Sequence, residues 1–323
     1  MTKVKTLITA LILSFATSFV SAQSVIDIGH GLGPKSAFGL GMERFGEVLA
    51  ERSGGKLTIQ QHFKASLGSE REMIESVQLG ALDMVLAGTG TLANFVPEAR
   101  LFDLPFLFRS YEHAYTTLDG PIGRELLAKV DEAGFKALAW SETGFRNITN
   151  SKRPIHTPAD LKGLKIRTQE NAVHIAMFKA MGAAPTPMSW PEVIPALQQK
   201  VIDAQENPTW VVKVTKLFEV QKHLTLTGHV YAPAIILMSK SLWAGYSSEE
   251  QAWFEEAARE AVKVTRDIGR GSEESALEFL REKGMEIVTN PDKSKFQEAT
   301  KPVYKTYIAE FGSGFIDRIA KTE

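Results

Sequence analysis

Residues 161–210 read LKGLKIRTQENAVHIAMFKAMGAAPTPMSWPEVIPALQQKVIDAQENPTW, and this stretch decides how the rest of the chain is read. The run LKIR is a short strand candidate that stops at Arg167. From Asn171 to Met181 the apolar residues take a helical period, with Val173, Met177 and Ala180 on one face and Ile175 and Phe178 beside it. Pro185 and Pro187 end that helix and carry the chain to Met188 and Trp190. A second helix follows on Val193, Leu197 and Val201, with Pro191 in its first turn, where a missing N–H costs nothing. VIDAQEN is a second strand, ending in Gln205, Glu206, Asn207 and Pro208. An arginine and an Asn-Pro corner thus stand at the same end of neighbouring strands, the end at which open α/β sheets bind ligands.

Both flanks repeat the pattern. Val25–Ile28 leads into GHGLGPKSAFGLG, whose spacing fits neither dinucleotide nor P-loop fingerprints, so its glycines read as a close turn at a cleft rim. His30 in that loop is a candidate ligand contact, or else a capping or packing residue. A helix follows on Phe38, Met42, Phe45, Val48 and Leu49 and ends at Gly54-Gly55. KLTIQQHF is a strand, SEREMIESVQLG a helix opened by a Ser69–Glu72 capping box, and LDMVLAG a strand. This alternation predicts parallel pairing with helices on both faces, an α/β architecture. PEARLFDLPFLF reads as a core-packed loop, Leu118–Val130 as a helix and Ala137–Trp140 as a strand.

SETGFRNITNSKRPIHTP then extends without helical period and reads as a crossing between two lobes, with Gly228–Pro233 as the return. The expected division is 23–144 plus 233–270 in the first lobe and 145–232 plus 271–323 in the second. Clefts between such lobes close by hinge motion. Ser248 to Lys283 carries one long helical stripe, opened by a Ser247–Glu250 capping box. At ~1.5 Å per residue it spans roughly 50 Å, enough to cross both lobes. A break at Gly269–Gly271 is the alternative. Three short helices are expected after EIVTNP.

Composition narrows the function. Residues 1–22 read as a cleaved signal peptide: Lys3 and Lys5, an apolar run from Leu7 to Val20, and the small-residue site Val20-Ser21-Ala22. Cysteine is absent, so an exported fold must rest on its core. Loss of Lys3 and Lys5 takes the formal charge from −1 to −3, which argues against a nucleic-acid partner. An anionic ligand would need a few local cations, and arginine supplies the planar, always-charged fork that a carboxylate accepts. There is no GxSxG or HExxH, and the seven histidines are scattered singly. The chain reads as a binding protein rather than an enzyme, with no cofactor; an acid–base enzyme on Glu70 or Glu206 is the rival from another class.

GLKIR, PTPMSW, ALQQKVIDAQENP and GFRNITNSKRPI resemble the solute-binding proteins of tripartite ATP-independent periplasmic (TRAP) transporters, in the DctP-like family. The resemblance implies a two-lobed periplasmic-binding-protein fold with interleaved crossings and a long helix spanning both lobes. It implies capture of an organic acid, a sugar acid such as a uronate or aldonate or else a C4-dicarboxylate, and delivery to small and large integral-membrane subunits. A ligand sensor serving a receptor kinase shares the pattern. By motif, Arg167 is similar to the arginine that grips the ligand carboxylate with two prongs, and Arg146 to a second basic contact. Asn207 is similar to an amide contact and Trp190 to an aromatic wall. Glu70 corresponds to an acidic residue that reads a polar ligand group in sialic-acid-binding relatives, or it simply favours its helix N-terminus. Together with Gln205 and His30 it completes the candidate site. The sequence has DAQENP where DGQENP is usual.

Overall fold

A computed structural model describes residues 23–323, and the targeting segment read at residues 1–22 lies outside them. Among the described residues nine strands form one sheet: β1 Ser24–Gly29, β2 Leu57–His62, β3 Met84–Gly88, β4 Phe135–Asn150, β5 Lys165–Thr168, β6 Ala184–Pro187, β7 Ala204–Asn207, β8 His223–Ser239 and β9 Glu286–Val288. Their order is β2-β1-β3-β8-β4-β7-β5-β6, with β9 on β8. β1 pairs in parallel with β2 and β3, and β5 with β6 and β7. Between these two parallel groups, β4 and β8 run antiparallel to each other.

The two crossings, read from sequence only as extended segments, are therefore parts of two long continuous strands. β4 is a single strand of 16 residues in place of a short strand and a linker, and β8 joins HLTLTG to YAPAIILMS over 17 residues. What disguises them is bending. The β4–β8 register slips between Ala137 and Ala139, Glu142 and Gly144, and Arg146 and Ile148. Such bulges kink and twist a ladder. Gly144 (φ 110°) and Gly228 (φ 55°) supply backbone conformations that a side chain resists. β6 is the other strand the sequence concealed. Pro185 and Pro187 read as breakers, yet β6 is the sheet's edge, where a missing N–H leaves no ladder bond unmade.

Alternation along the central strands separates the cores. Val85 and Ala87 of β3, with Ile235 and Leu237 of β8, face a large cluster that continues through Ile148, Ile166 and Phe178 into both lobes. Met84, Leu86, Ile236 and Met238 face the opposite side, under the helices Ala37–Ser53 and Ser248–Gly271. There Phe45 meets Phe254, ring centroids 6.2 Å apart. A third cluster lies in the second lobe on Val193, Val212, Leu217, Leu224 and Leu280.

The long helical stripe comes as two segments, Ser248–Gly271 and Glu273–Glu282, jointed at Ser272. The joint falls just past the glycines. The hydrogen-bond ladder runs through it: the Ser272 N–H donates to Ile268 O (3.1 Å) and the Ala276 N–H to Ser272 O (2.8 Å). The Ser272 hydroxyl also donates to Ile268 O at 2.6 Å, a back-bond that bends helices. The first segment packs Phe254, Ala257 and Ala261 on the first lobe, and the second packs Leu277, Phe279 and Leu280 on the second, so the pair covers both. Two helices rather than three close the chain, Lys293–Phe311 and Gly314–Ala320. The last one leaves the second lobe and lies against the helix Pro121–Glu132, with Arg318 on Glu125 at 2.7 Å. The stretch read as one helix at Leu118–Val130 is two, Tyr111–Asp119 and Pro121–Glu132, parted at Gly120.

Candidate functional site

A cavity lies between the lobes, at the C-terminal ends of β3, β5 and β7 and against β4. The second lobe brings Arg167, Gln169, Trp190 and Asn207 to it, the crossing strand brings Thr143 and Arg146, and the first lobe brings Phe38, Glu70 and Thr91.

Arg167 is the third residue of β5, with the apolar Ile166 turned to the core beside it. Its Nε–H donates to Met188 O at 3.0 Å, and its guanidinium lies 5.8 Å from the Trp190 ring centroid. The side chain is 4% exposed, yet among the described residues no carboxylate lies within ion-pair distance of it. Burial lowers its pKa to about 10, so the group is still a cation at neutral pH. A buried charge without a partner is costly.

Arg146 has a different environment. Its Nε–H and one Nη2–H grip the Glu206 carboxylate, and Nη2 also donates to Glu206 O at 2.6 Å. β4 and β7 pair Ile148 with Glu206, which sets this contact in register. Burial alone would raise the Glu206 pKa, but Arg146 and the imidazoles of His174 and His229 outweigh it and hold the carboxylate well below its usual range. His174 loses by burial and gains more from Asp103 (3.3 Å) and Glu206, which push it up to about 9. His229 is lowered by burial and stays neutral, accepting from the Thr227 hydroxyl (2.7 Å) and donating to Glu206 (3.3 Å). Arg146 thus lines the cavity with its charge already balanced.

Glu70 opens the helix Glu70–Gln78 beside the cavity. It accepts from the Thr91 hydroxyl (2.9 Å) and the Gly88 N–H (3.4 Å), while burial pushes its pKa up. Asn207 donates through Nδ2 to Gln205 Oε1 at 2.6 Å.

Five of the seven sequence candidates, Arg167, Arg146, Asn207, Trp190 and Glu70, share this cavity. Two do not. His30 is fully buried: its Nδ1 accepts from the Leu32 N–H (3.3 Å), so its Nε2–H donates to Gln61 Oε1 (3.2 Å). It braces the loop whose Gly31 and Leu32 touch the cavity. Gln205 shares its face of β7 with Asn207 but stands one pair back from the strand end, where its amide donates to the Thr149 hydroxyl (2.8 Å) and accepts from Asn207 Nδ2, so it does not reach the cavity. Gln169 and Thr91 line the cavity and were missed. Gln169 stands two residues past Arg167, and that spacing was the available signal.

Residues 28–310 match the family described as bacterial extracellular solute-binding protein, family 7 (DctP). The chain belongs to that family. It is a solute-binding component of TRAP transport, whose structurally similar members have the same two-lobed α/β architecture. It is 39% identical to the 2,3-diketo-L-gulonate-binding periplasmic protein YiaO of Escherichia coli, over 88% of this chain and 87% of that one. A TRAP periplasmic solute-binding protein from a Polaromonas species, bound to D-erythronate, superposes with a TM-score of 0.92 at 42% identity, covering 93% of this chain and 99% of that one. The sugar acid binding protein DctPAm from Advenella mimigardefordensis, in complex with galactonate, gives 0.90 at 34% identity, covering 94% and 99%. For this family-7 protein, among the described residues, no helix is long and apolar enough to cross a membrane.

Proposed function

We propose that this family-7 protein resides in the periplasm, captures a polyhydroxylated monocarboxylate of the aldonate type, and delivers it to the small and large membrane subunits of a TRAP permease. The observation that carries this reading is the buried, unpaired Arg167 in the inter-lobe cavity. The ligand carboxylate docks on its free Nη groups, two charge-assisted bonds of about 1.5–3 kcal/mol each. Trp190 walls the ligand, Asn207 and the remaining Nη1 of Arg146 add donors, and Glu70 accepts from hydroxyls. Such a set reaches micromolar affinity, about −8 kcal/mol.

A sugar acid is favoured over a C4-dicarboxylate by charge. A second carboxylate would meet Arg146, which Glu206 already neutralises, and Glu70, which is itself an acid. The ligands named for the three relatives above are all monocarboxylates rich in hydroxyl or keto groups. Thermal-shift screening against an organic-acid library, followed by calorimetry, tests the assignment. Aldonates should raise the melting temperature more than succinate or malate. A larger shift with the dicarboxylates would overturn it.

A further inference from the structure

We infer that Gln169 is a specificity-determining residue, which reads the hydroxyl next to the ligand carboxylate and so selects 2-hydroxy acids over their 2-deoxy counterparts. The inference rests on the proposed docking of the carboxylate at Arg167.

Three observations carry it. The first is an unmet need: Gln169 Oε1 is buried and has no hydrogen-bond partner, and the amide makes no hydrogen bond among the described residues. Buried amides are normally satisfied, and one left open beside a binding cavity is held for something that comes and goes. The second is position. Gln169 follows Arg167 by two residues, just past the C-terminal end of β5, and both side chains line the same cavity. A group held by the amide lies next to a carboxylate held by the guanidinium, which in an acid is the substituent on C2.

The third observation is rigidity. The Asn171 Nδ2 donates to Gly90 O (3.0 Å) and to Asp103 (2.8 Å), and the Asn94 Nδ2 donates to Glu170 O (2.9 Å). These bonds tie the two residues that follow Gln169 to the first lobe. Gly90 lets it approach: a Cβ there would overlap Gln169 Oε1. The pinned amide offers one acceptor and one donor face, and a hydroxyl satisfies either in whichever orientation the amide takes. An apolar CH₂ satisfies neither and leaves the amide buried and unpaired.

The test compares D-erythronate with 3,4-dihydroxybutanoate, the same chain lacking only the 2-hydroxyl, by isothermal titration calorimetry. The full-length mature protein should prefer the 2-hydroxy acid by about 10-fold or more. Gln169→Leu should still bind both acids, with that ratio reduced to about 1–3. Gly90→Ala, which displaces the amide without altering it, should lower the ratio in the same way. A ratio unchanged in both variants overturns the inference while leaving the carboxylate reading intact. Retention of binding by Arg167→Ala sinks the carboxylate reading, and absence of binding by either acid to the wild type sinks both.

Discussion

Replacing Arg167 by methionine should make the empty protein more stable and the binding protein useless. The guanidinium is 4% exposed, and burial takes its pKa from 12.5 to about 10. That difference corresponds to about 3 kcal/mol of penalty on the charged form at ~1.4 kcal/mol per unit. Methionine removes the charge and keeps much of the volume. It forfeits the bond to Met188 O, about 1 kcal/mol, and the contact with the Trp190 ring, roughly 0.5–1 kcal/mol. The balance is about 1–2 kcal/mol in favour of the variant, a rise of roughly 2–3 °C for a chain of this size. Binding moves the other way. The ligand carboxylate would enter a buried site with no charge to meet it, at a cost of about 3–5 kcal/mol, or roughly a 10²–10⁴-fold loss of affinity. Differential scanning fluorimetry without and with an aldonate reads both effects at once. An unliganded melting point several degrees below wild type would refute the claim that the charge is uncompensated. Unchanged affinity would refute the anion dock itself.

Glu206→Gln leaves Arg146 and the protonated His174 buried without their shared carboxylate, so chemical denaturation should show a loss of about 3–5 kcal/mol; a loss under 1 kcal/mol would show that the network is not ionised as described. Glu142 is 1% exposed and raised by burial to about 7, even though the Tyr115 and Tyr231 hydroxyls donate to it. Between its ordinary value of 4.5 and 7 the folded state keeps a proton that the unfolded chain has lost, so stability should fall as pH rises through that window, by up to about 3 kcal/mol, and level off above it. Glu142→Gln should flatten that slope, and the same pH dependence of the melting temperature in wild type and variant would contradict the assignment. Gly269→Ala pits propensity against packing. Alanine gains about 1 kcal/mol in a helix, but its Cβ would meet Glu142 Oε1 at 2.7 Å, so the melting temperature should drop by a few degrees instead of rising.

What could be read from sequence was whatever short-range chemistry decides. The capping boxes Ser69–Glu72 and Ser247–Glu250 form as read, because both partners lie within one turn. Arg167 could be found at the end of an apolar run because the run and the arginine are neighbours in the chain, and the same holds for Asn207. The errors lie where a distant partner decides. β6 is a strand because β5 offers it an edge, which no local feature of a Pro-Thr-Pro segment announces. β4 and β8 run unbroken, beyond the short strands legible in each, because they pair with each other across 73 to 104 residues of sequence, from Asn150–His223 to Phe135–Ser239, and their bulges and glycines erase the signal of continuity.

The same distinction governs the site's charge, and with it the substrate. By residue type Arg146 and Arg167 are equal, two arginines at one cleft, and two arginines call for a dicarboxylate. They differ because the β4–β7 register delivers Glu206 to one and no acid to the other. A pairing slipped by one residue would turn Glu206 to the opposite face and leave two free cations in the cavity. On the function proposed above, selectivity for a single carboxylate is a property of strand register before it is a property of any ligand contact, and a motif that supplies the arginines does not by itself fix the charge of the anion proposed to dock there.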